Sequence, residues 1–403
     1  MDASRLKTLV LYANYTTRLS YYDDWLDAFR SSAGFDVKAV NICNLFERKK
    51  MDGFARQVDL IVLLHSTNAD TIEYLRPFVP VLQGRRGLLL SFVGNEVNLP
   101  GVPIRDKREI FSRMEPDFIA TQLPLEAGQF LFGDLVRRRV ISVPHALNPD
   151  VFMPRVPQRS REIDIGVRSV RYLPHLGDND RNRLYDYFLV NGAGHGLKTD
   201  ISTERLDRGR WSAFLNHCRG TVSTEAGSWF LERDDRTVEA IRAWTADRMR
   251  GRFVIKNNSV LQRLGHKLPW GMRLFIKRML GSGPLRHESS VAAELPYEEV
   301  FDRFFRNYQK PQFYGKCVSS RHFDAVGTKT CQIMFPGRFN DIFQQGEHYI
   351  AIAPDFSNIG DVIEKFRDVD FRTRLVDQTY DYVRDAHTYL HRMAAVYAAV
   401  TAA

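Results

Sequence analysis

Residues Ser319–Asn358 read SSRHFDAVGTKTCQIMFPGRFNDIFQQGEHYIAIAPDFSN, and this stretch decides the fold. A charged cluster, Arg321, His322 and Asp324, opens the helix signal FDAV, which ends at a Gly-Thr turn. A strand follows over Lys329–Phe335, then a loop rich in Gly and Asn, then a second apolar strand over His348–Ala353. Helix, strand, loop and strand in this order build a doubly wound α/β domain, whose ligands sit at the carboxyl ends of its strands.

The same alternation extends outward to both ends of the chain. Strands are expected at Leu6–Tyr12, Asp36–Ile42, Asp59–Leu64, Gly87–Val93, Asp117–Thr121 and Val140–Val143, with helices at Tyr21–Ser31 and around Ala69–Leu82. Near-continuous Val/Leu/Ile runs mark strands buried on both faces, hence a parallel sheet. After Pro144 the segment HALNPDVFMPRVPQRSRE reads as an interdomain linker. The pattern then restarts, with strands at Ile163–Val167, Gly196–Ser202 and Thr221–Thr224 and helices at Asp180–Val190 and Trp211–Cys218. One amphipathic helical stretch from about Asp361 to Ala402 closes the chain. A chain of 403 residues suits two domains. They are expected at 1–150 and 151–370, with an insertion at about 230–295 and a helical segment at 371–403.

Composition narrows the class. Hydrophobic residues make up 44% and charged residues 26%, the balance of a soluble globular protein. No apolar run reaches the roughly 18 residues that span a bilayer. The opening MDASRLKTLVLYAN reads as a strand rather than a secretion signal. Four scattered cysteines without a CxxC pair point away from a zinc site or a disulfide framework and fit a reducing cytoplasm. The net charge of +9 is concentrated: Arg242–Arg286 holds eleven Arg/Lys and one acid, Asp247, and the rest of the chain is close to neutral.

The opening stretch also resembles the nucleotide-sugar-binding motif of GT-B glycosyltransferases, in particular the CgeB-like (spore-maturation-type) branch. The residues that carry it are Ser319, Arg321, Phe323, Asp324, Ala325, Lys329, Thr330, His348, Tyr349, Ile350, Asp355, Phe356, Ser357 and Asn358. The resemblance implies two Rossmann-like α/β domains with parallel sheets facing a cleft, the last helix crossing back to the first domain. The first domain would be the acceptor side and the second the nucleotide-sugar side. It implies a nucleotide-sugar donor, with Arg321, His322, Lys329, Thr330, His348, Tyr349, Ser357 and Asn358 among its contacts. It also puts at Asp324 a glutamate that holds the donor ribose. Aspartate is one methylene shorter, and Lys316 stands where retaining members carry a second glutamate, so the anomeric outcome stays open.

Sugar transfer builds negative charge on the leaving diphosphate, which without a metal must be met by Arg/Lys or helix amide ends. Arg321, at a helix start, joins both devices. Arg168 and Arg171 follow the first strand of the second domain, in the loop that the GT-B resemblance implies faces the same diphosphate, as phosphate contacts or as solvated surface arginines. Thr224-Glu225-Ala226-Gly227-Ser228 resembles the Glu-x-Gly-x-Ser turn of the same branch, so Glu225, Gly227 and Ser228 are substrate-binding candidates. In the first domain, Glu96 and His65 follow strands and are candidates for the base that takes the acceptor proton. Two apparent motifs are set aside. Gly192–Gly196 follows a helix rather than a strand, so it reads as a turn. Asp178-Asn179-Asp180 opens a helix and reads as a cap rather than a metal motif.

In the basic segment, Trp270 anchors an amphipathic stretch with Arg273, Lys277 and Arg278 on its polar side, a membrane-surface pattern. Packing on its own domain is the plain alternative, and nucleic acid is not the expected ligand because no aromatic platform accompanies the charge. The reading is a metal- and cofactor-independent transferase, cytoplasmic or peripheral on the inner membrane face, with a glycan, lipid-linked or protein acceptor. A sugar-nucleotide epimerase or hydrolase of the same fold, and a non-catalytic polyanion-binding protein, are the alternatives.

Overall fold

The computed structural model describes residues 5–14, 20–44, 51, 53–101, 103–248, 253–255, 285–287 and 292–402. Six parallel strands form the first sheet: β1 (Leu6–Tyr12), β2 (Phe35–Asn41), β3 (Leu60–Leu63), β4 (Leu88–Phe92), β5 (Phe118–Thr121) and β6 (Arg139–Ser142). Their order is β2-β1-β3-β4-β5-β6. Five parallel strands form the second sheet: β7 (Ile163–Arg168), β8 (Thr199–Ser202), β9 (Cys218–Ser223), β10 (Cys331–Met334) and β11 (Ile350–Ala351), in the order β11-β10-β9-β7-β8. Each sheet reverses direction of growth beside its first strand, the switch point at which such folds open a crevice.

Side-chain alternation builds a layer of core on each face of a sheet. Leu9, Leu11, Ile61, Leu63, Leu89 and Ile119 pack to one side of the first sheet. Val10, Leu60, Val62, Leu90, Phe92 and Ala120 pack to the other, against Trp25 and Phe29 of the Ser20–Ser31 helix. Every residue of β3 and β5 is buried, which is why these strands read as unbroken apolar runs.

Two helical expectations change. The stretch around Ala69–Leu82 is a 3-10 turn at Arg76–Phe78 followed by a short helix at Val79–Gln83. Pro77 and Pro80 lack the N–H groups a long helix needs. The closing stretch is three helices, Ile359–Arg367, Val369–Ala386 and Tyr389–Thr401. Asp368 starts the second by accepting from the amides of Asp370 and Phe371, both at 2.9 Å. A Thr388–His391 capping box starts the third. That last helix crosses back onto the first domain, burying Tyr389, Met393, Val396 and Val400 beside Trp25 and Phe29.

Polar bridges fix the two domains against each other. Asp24 pairs with Arg208 of the second domain at 2.9 Å, while Asn148 Nδ2 of its own domain donates to the same carboxylate at 2.7 Å. Asn98 donates to Asp235 Oδ1 at 2.6 Å, and the other Asp235 oxygen accepts the Arg105 amide at 2.8 Å. Arg338 pairs with Glu126 at 2.8 Å, and Asn340 donates to the Gln122 carbonyl at 3.0 Å.

Candidate active site

The carboxyl ends of both sheets enclose a cavity of about 870 Å³. The first domain contributes Asn95, Glu96, Gln122 and His145, and the second contributes Arg171, Tyr172, Arg181, Gly227 and Arg321. Gly227 has φ +95, and a Cβ there would meet the Gly315 carbonyl oxygen at 2.4 Å. Only glycine lets these two segments approach so closely beside the cavity.

Arg181 and Arg321 define its positive wall. Each stands second in its helix, Asp180–Asn191 and Ser320–Gly327. Among the described residues, Nε of Arg321 and both Nε and Nη2 of Arg181 are buried without a hydrogen-bond partner. The Arg181 guanidinium lies over the Tyr172 ring, 3.8 Å from its centroid. Burial, then the positive Arg181, pulls the Arg321 guanidinium below its ordinary value. The buried Arg181 and the partly exposed Arg321, at two helix amino ends lining one space, suit an anion, because the orphan donors and the helix dipoles favour negative charge there.

Glu96 faces them from the first domain. It is 5% exposed. Its carboxylate accepts from Thr121 Oγ1 at 2.5 Å and from the Gln122 amide at 2.8 Å. Burial pushes its carboxyl up to about 7, opposed by those hydrogen bonds and by Lys107. Lys107 is fully buried, donates to the carbonyls of Gly94 and Asn95 (2.7 Å for the latter), and is pulled down by burial to about 8. The Lys107 contacts hold Asn95 in a left-handed turn, φ 51, which aims the next residue at the cavity. A carboxyl poised near neutrality can take a proton at physiological pH.

The other candidates stand elsewhere. His65 is fully buried among Trp25, Phe92 and His145, with ring centroids 5.2, 5.0 and 5.6 Å away. Burial, then His145, holds its imidazole well below the ordinary range, so it packs the floor beneath the cavity rather than meeting an acceptor. Asp324 is 2% exposed and accepts from Trp211 Nε1 at 2.9 Å, behind the wall that Arg321 forms. His322 caps its own helix, its Nδ1 accepting the Ser319 amide at 3.0 Å. Arg168 is bidentate to Asp200, both contacts at 2.8 Å, and Arg171 pairs with Asp186 at the cavity rim.

Glu225 accepts from Tyr314 and from the Phe339 amide (2.7 Å for the latter). Ser228 donates to the Leu176 carbonyl at 2.8 Å. Lys329 pairs with Asp377 at 2.6 Å, and Thr330 donates to the Leu215 carbonyl at 2.9 Å. His348 stacks on Tyr382 at 4.5 Å, Tyr349 packs on Phe339, and Ser357 bonds Asp355 at 2.7 Å. Asn358 accepts the Ala353 amide at 2.8 Å. These residues build the second domain's loops; Gly227, Arg171 and Arg321 are the members of the set that line the cavity with Glu96. Asp178 accepts the Asp180 amide at 2.9 Å and pairs with Lys316 at 2.5 Å, a helix-start role. Trp270, Arg273, Lys277 and Arg278 lie outside the described residues.

Arg181, Lys107 and His145 line or support the cavity without having been singled out in the sequence. Arg181 carried a signal, since a cation in the first turn of a helix opposes the dipole unless an anion is to be held. Lys107 carried one too, standing on the apolar face with Ile104, Ile110 and Phe111.

No known family profile matches this sequence, and no curated protein matches it. Solved structures do resemble the fold. A glycosyltransferase from Rickettsia africae ESF-5 matches with TM-score 0.50 at 7% identity, over 99% of each chain. Anabaena HepE in complex with UDP-glucose matches at 0.49 and 8% identity, and sucrose-phosphate synthase from Thermosynechococcus elongatus at 0.47 and 11%, each over 99% of this chain and all of the other. At these identities the likeness is one of fold, and the fold is GT-B: two Rossmann-like domains facing a cleft. No described helix is long and apolar enough to cross a membrane.

Proposed function

We propose that the protein is a nucleotide-sugar-dependent glycosyltransferase that moves a sugar to a hydroxyl acceptor without a metal. The observation that carries this reading is the pair of guanidiniums, Arg181 and Arg321, each with nitrogens unsatisfied among the described residues, lining one interdomain cavity with Glu96, a carboxyl held near neutrality. The donor diphosphate sits between the arginines and the amino ends of their helices. In a direct displacement, Glu96 takes the acceptor hydroxyl proton and the acceptor oxygen bonds to the anomeric carbon. The bond from that carbon to the diphosphate breaks, and the arginines meet the charge left on the departing phosphate.

The resemblance of Ser319–Asn358 to the CgeB-like branch supports a proposal that the acceptor is a bacterial surface glycan or glycolipid. The basic segment brings the enzyme to the inner face of the membrane.

A thermal-shift screen against nucleotide sugars tests the donor site, because a ligand that binds only the folded state raises apparent stability. Nucleotide release is then followed with and without acceptor. Release that needs an acceptor supports transfer, release without one identifies the hydrolase, and conversion of the sugar with the nucleotide retained identifies the epimerase. A protein stabilised by no sugar nucleotide is not a transferase.

A further inference from the structure

At the opposite end of the second sheet lies a separate pocket of about 560 Å³. Its lining includes four guanidiniums, Arg159, Arg219, Arg367 and Arg372, and one carboxylate, Asp164. Phe366 and Leu197 supply an apolar floor. The strands that connect this pocket to the interdomain cavity are β7 and β9: Asp164 and Arg219 stand at their starts, and the cavity opens beyond their ends. A six-residue strand spans about 20 Å, so the two sites are distinct.

The one carboxylate is already committed. Asp164 Oδ1 accepts from Arg219 at 2.6 Å and Oδ2 from the Lys198 amide at 2.9 Å. Arg372 is 3% exposed and donates to neutral acceptors, Gln158 Oε1 at 3.1 Å and the Phe366 carbonyl, with the Asp164 and Asp368 carboxylates acting on it at longer range. Directly behind it, Arg161 is 1% exposed and donates to the carbonyls of Val156, Cys218 and Thr328. Arg367 donates to the His195 carbonyl at 2.6 Å, and it fits there because the neighbouring Gly196, φ +63, has no Cβ to strike its Nη2. Arg159 reaches Asp370 only at 3.7 Å, and both are largely exposed.

Two guanidiniums, Arg372 and Arg161, are buried beside the more accessible Arg159, Arg219 and Arg367: burial lowers Arg372, an effect that Cys331, Asp164 and Asp368 oppose and Arg219 reinforces, and Arg372 in turn lowers Arg161. Such an arrangement is expensive unless an anion completes it. Arginine forks match phosphate oxygens in geometry, and the pocket volume suits a small organic ligand.

We propose that this pocket binds a small phosphorylated ligand, a phosphate or diphosphate group with or without an attached sugar, independently of the interdomain cavity. The experiment is calorimetric titration, at constant ionic strength, of the full chain carrying Arg181→Ala and Arg321→Ala, so that the cavity no longer contributes. The probes are inorganic phosphate, pyrophosphate and glucose 6-phosphate, each taken to about 10 mM, which detects any affinity near the millimolar range. Saturable binding of at least one is expected, and a preference for glucose 6-phosphate over the inorganic ions would show that the Phe366 floor contacts a sugar.

Adding Arg219→Gln and Arg367→Gln, with folding checked by circular dichroism, should weaken that binding by ten- to hundredfold, the effect of losing charge-assisted contacts. No saturable binding of any probe overturns the proposal. So does binding that is already lost in the Arg181→Ala/Arg321→Ala background, or that is unchanged by Arg219→Gln and Arg367→Gln.

Discussion

Arg181 and Arg321 occupy the same position, second residue, in two different helices, and both line one cavity, with Arg181 Nε and Nη2 and Arg321 Nε unsatisfied among the described residues. If a diphosphate completes this pair, Arg321→Ala should lower nucleotide-sugar affinity ten- to hundredfold, since a charge-assisted contact contributes about 1.5–3 kcal/mol. Arg181→Ala should do the same. Because both would act on one diphosphate, the double variant should depart from the sum of the singles. Calorimetry with the stabilising nucleotide reads all three. Unchanged affinity in folded single variants would remove the diphosphate from this wall.

The architecture was legible because parallel strands buried on both faces leave continuous apolar runs, as in LIVL of β3 and FIAT of β5. Arg321 was legible because it opens a helix inside a family-like motif. The rest of that motif was not, because sequence shows residue types and not the direction in which they point. His322 turns back to cap its helix, Asp324 turns inward to Trp211, and Glu225 turns to Tyr314. Arg181 was hidden by its neighbours: Asp178 and Asp180 read as a cap, and a cation directly after a cap reads as an ordinary solvated residue. The breaks in the closing helix were legible in principle, since Asp368 and Thr388 are capping residue types.

Glu96 should carry the acidic limb of the pH–rate profile. A base works only when deprotonated, and burial raises this carboxyl to about 7, so turnover should rise with pH through about 7. Glu96→Gln should lower turnover by about 10²–10⁴ while donor affinity stays as in the wild type. Near-normal turnover in Glu96→Gln would mean that the reaction takes its proton elsewhere.

Lys107 gives an independent check on that assignment. Its ammonium favours the ionised form of Glu96, opposing the larger effect of burial. Lys107→Met should therefore move the acidic limb to higher pH without abolishing it. The variant should also lose stability, because the carbonyls of Gly94 and Asn95 lose their donor. A rate profile with its limb unmoved would separate Lys107 from the chemistry and leave it a purely structural cation.

The charge of the Arg242–Arg286 segment makes a prediction for membranes. Eleven basic residues against one acid should bind vesicles containing anionic lipid, each cation near the surface contributing about 1 kcal/mol. Binding should fall steeply with salt as the Debye length shrinks from about 10 Å at 0.1 M to about 3 Å at 1 M. Arg273→Gln, Lys277→Gln and Arg278→Gln together should release the protein in vesicle co-sedimentation. Equal binding by wild type and triple variant would dismiss this surface.

Asp24 and Arg208 latch the two domains, and their pairing predicts how stability depends on pH. Asp24 is 1% exposed, and burial raises its carboxyl to about 6 even with Asn148 and Arg208 beside it. A raised carboxyl pKa stabilises the folded state most at low pH, where the acid is neutral in both states, and that contribution is lost as pH rises through about 6. Arg208→Ala removes the partner that offsets the buried charge. At about pH 8, where Asp24 would have to ionise without it, the loss should be about 2–5 kcal/mol. At about pH 5 the unpaired Asp24 keeps its proton, so the loss should shrink toward that of the half-exposed Asp27 contact alone, about 1 kcal/mol or less. Chemical denaturation of wild type and Arg208→Ala at the two pH values measures both. A loss of equal size at the two would show that the latch acts through packing rather than through charge.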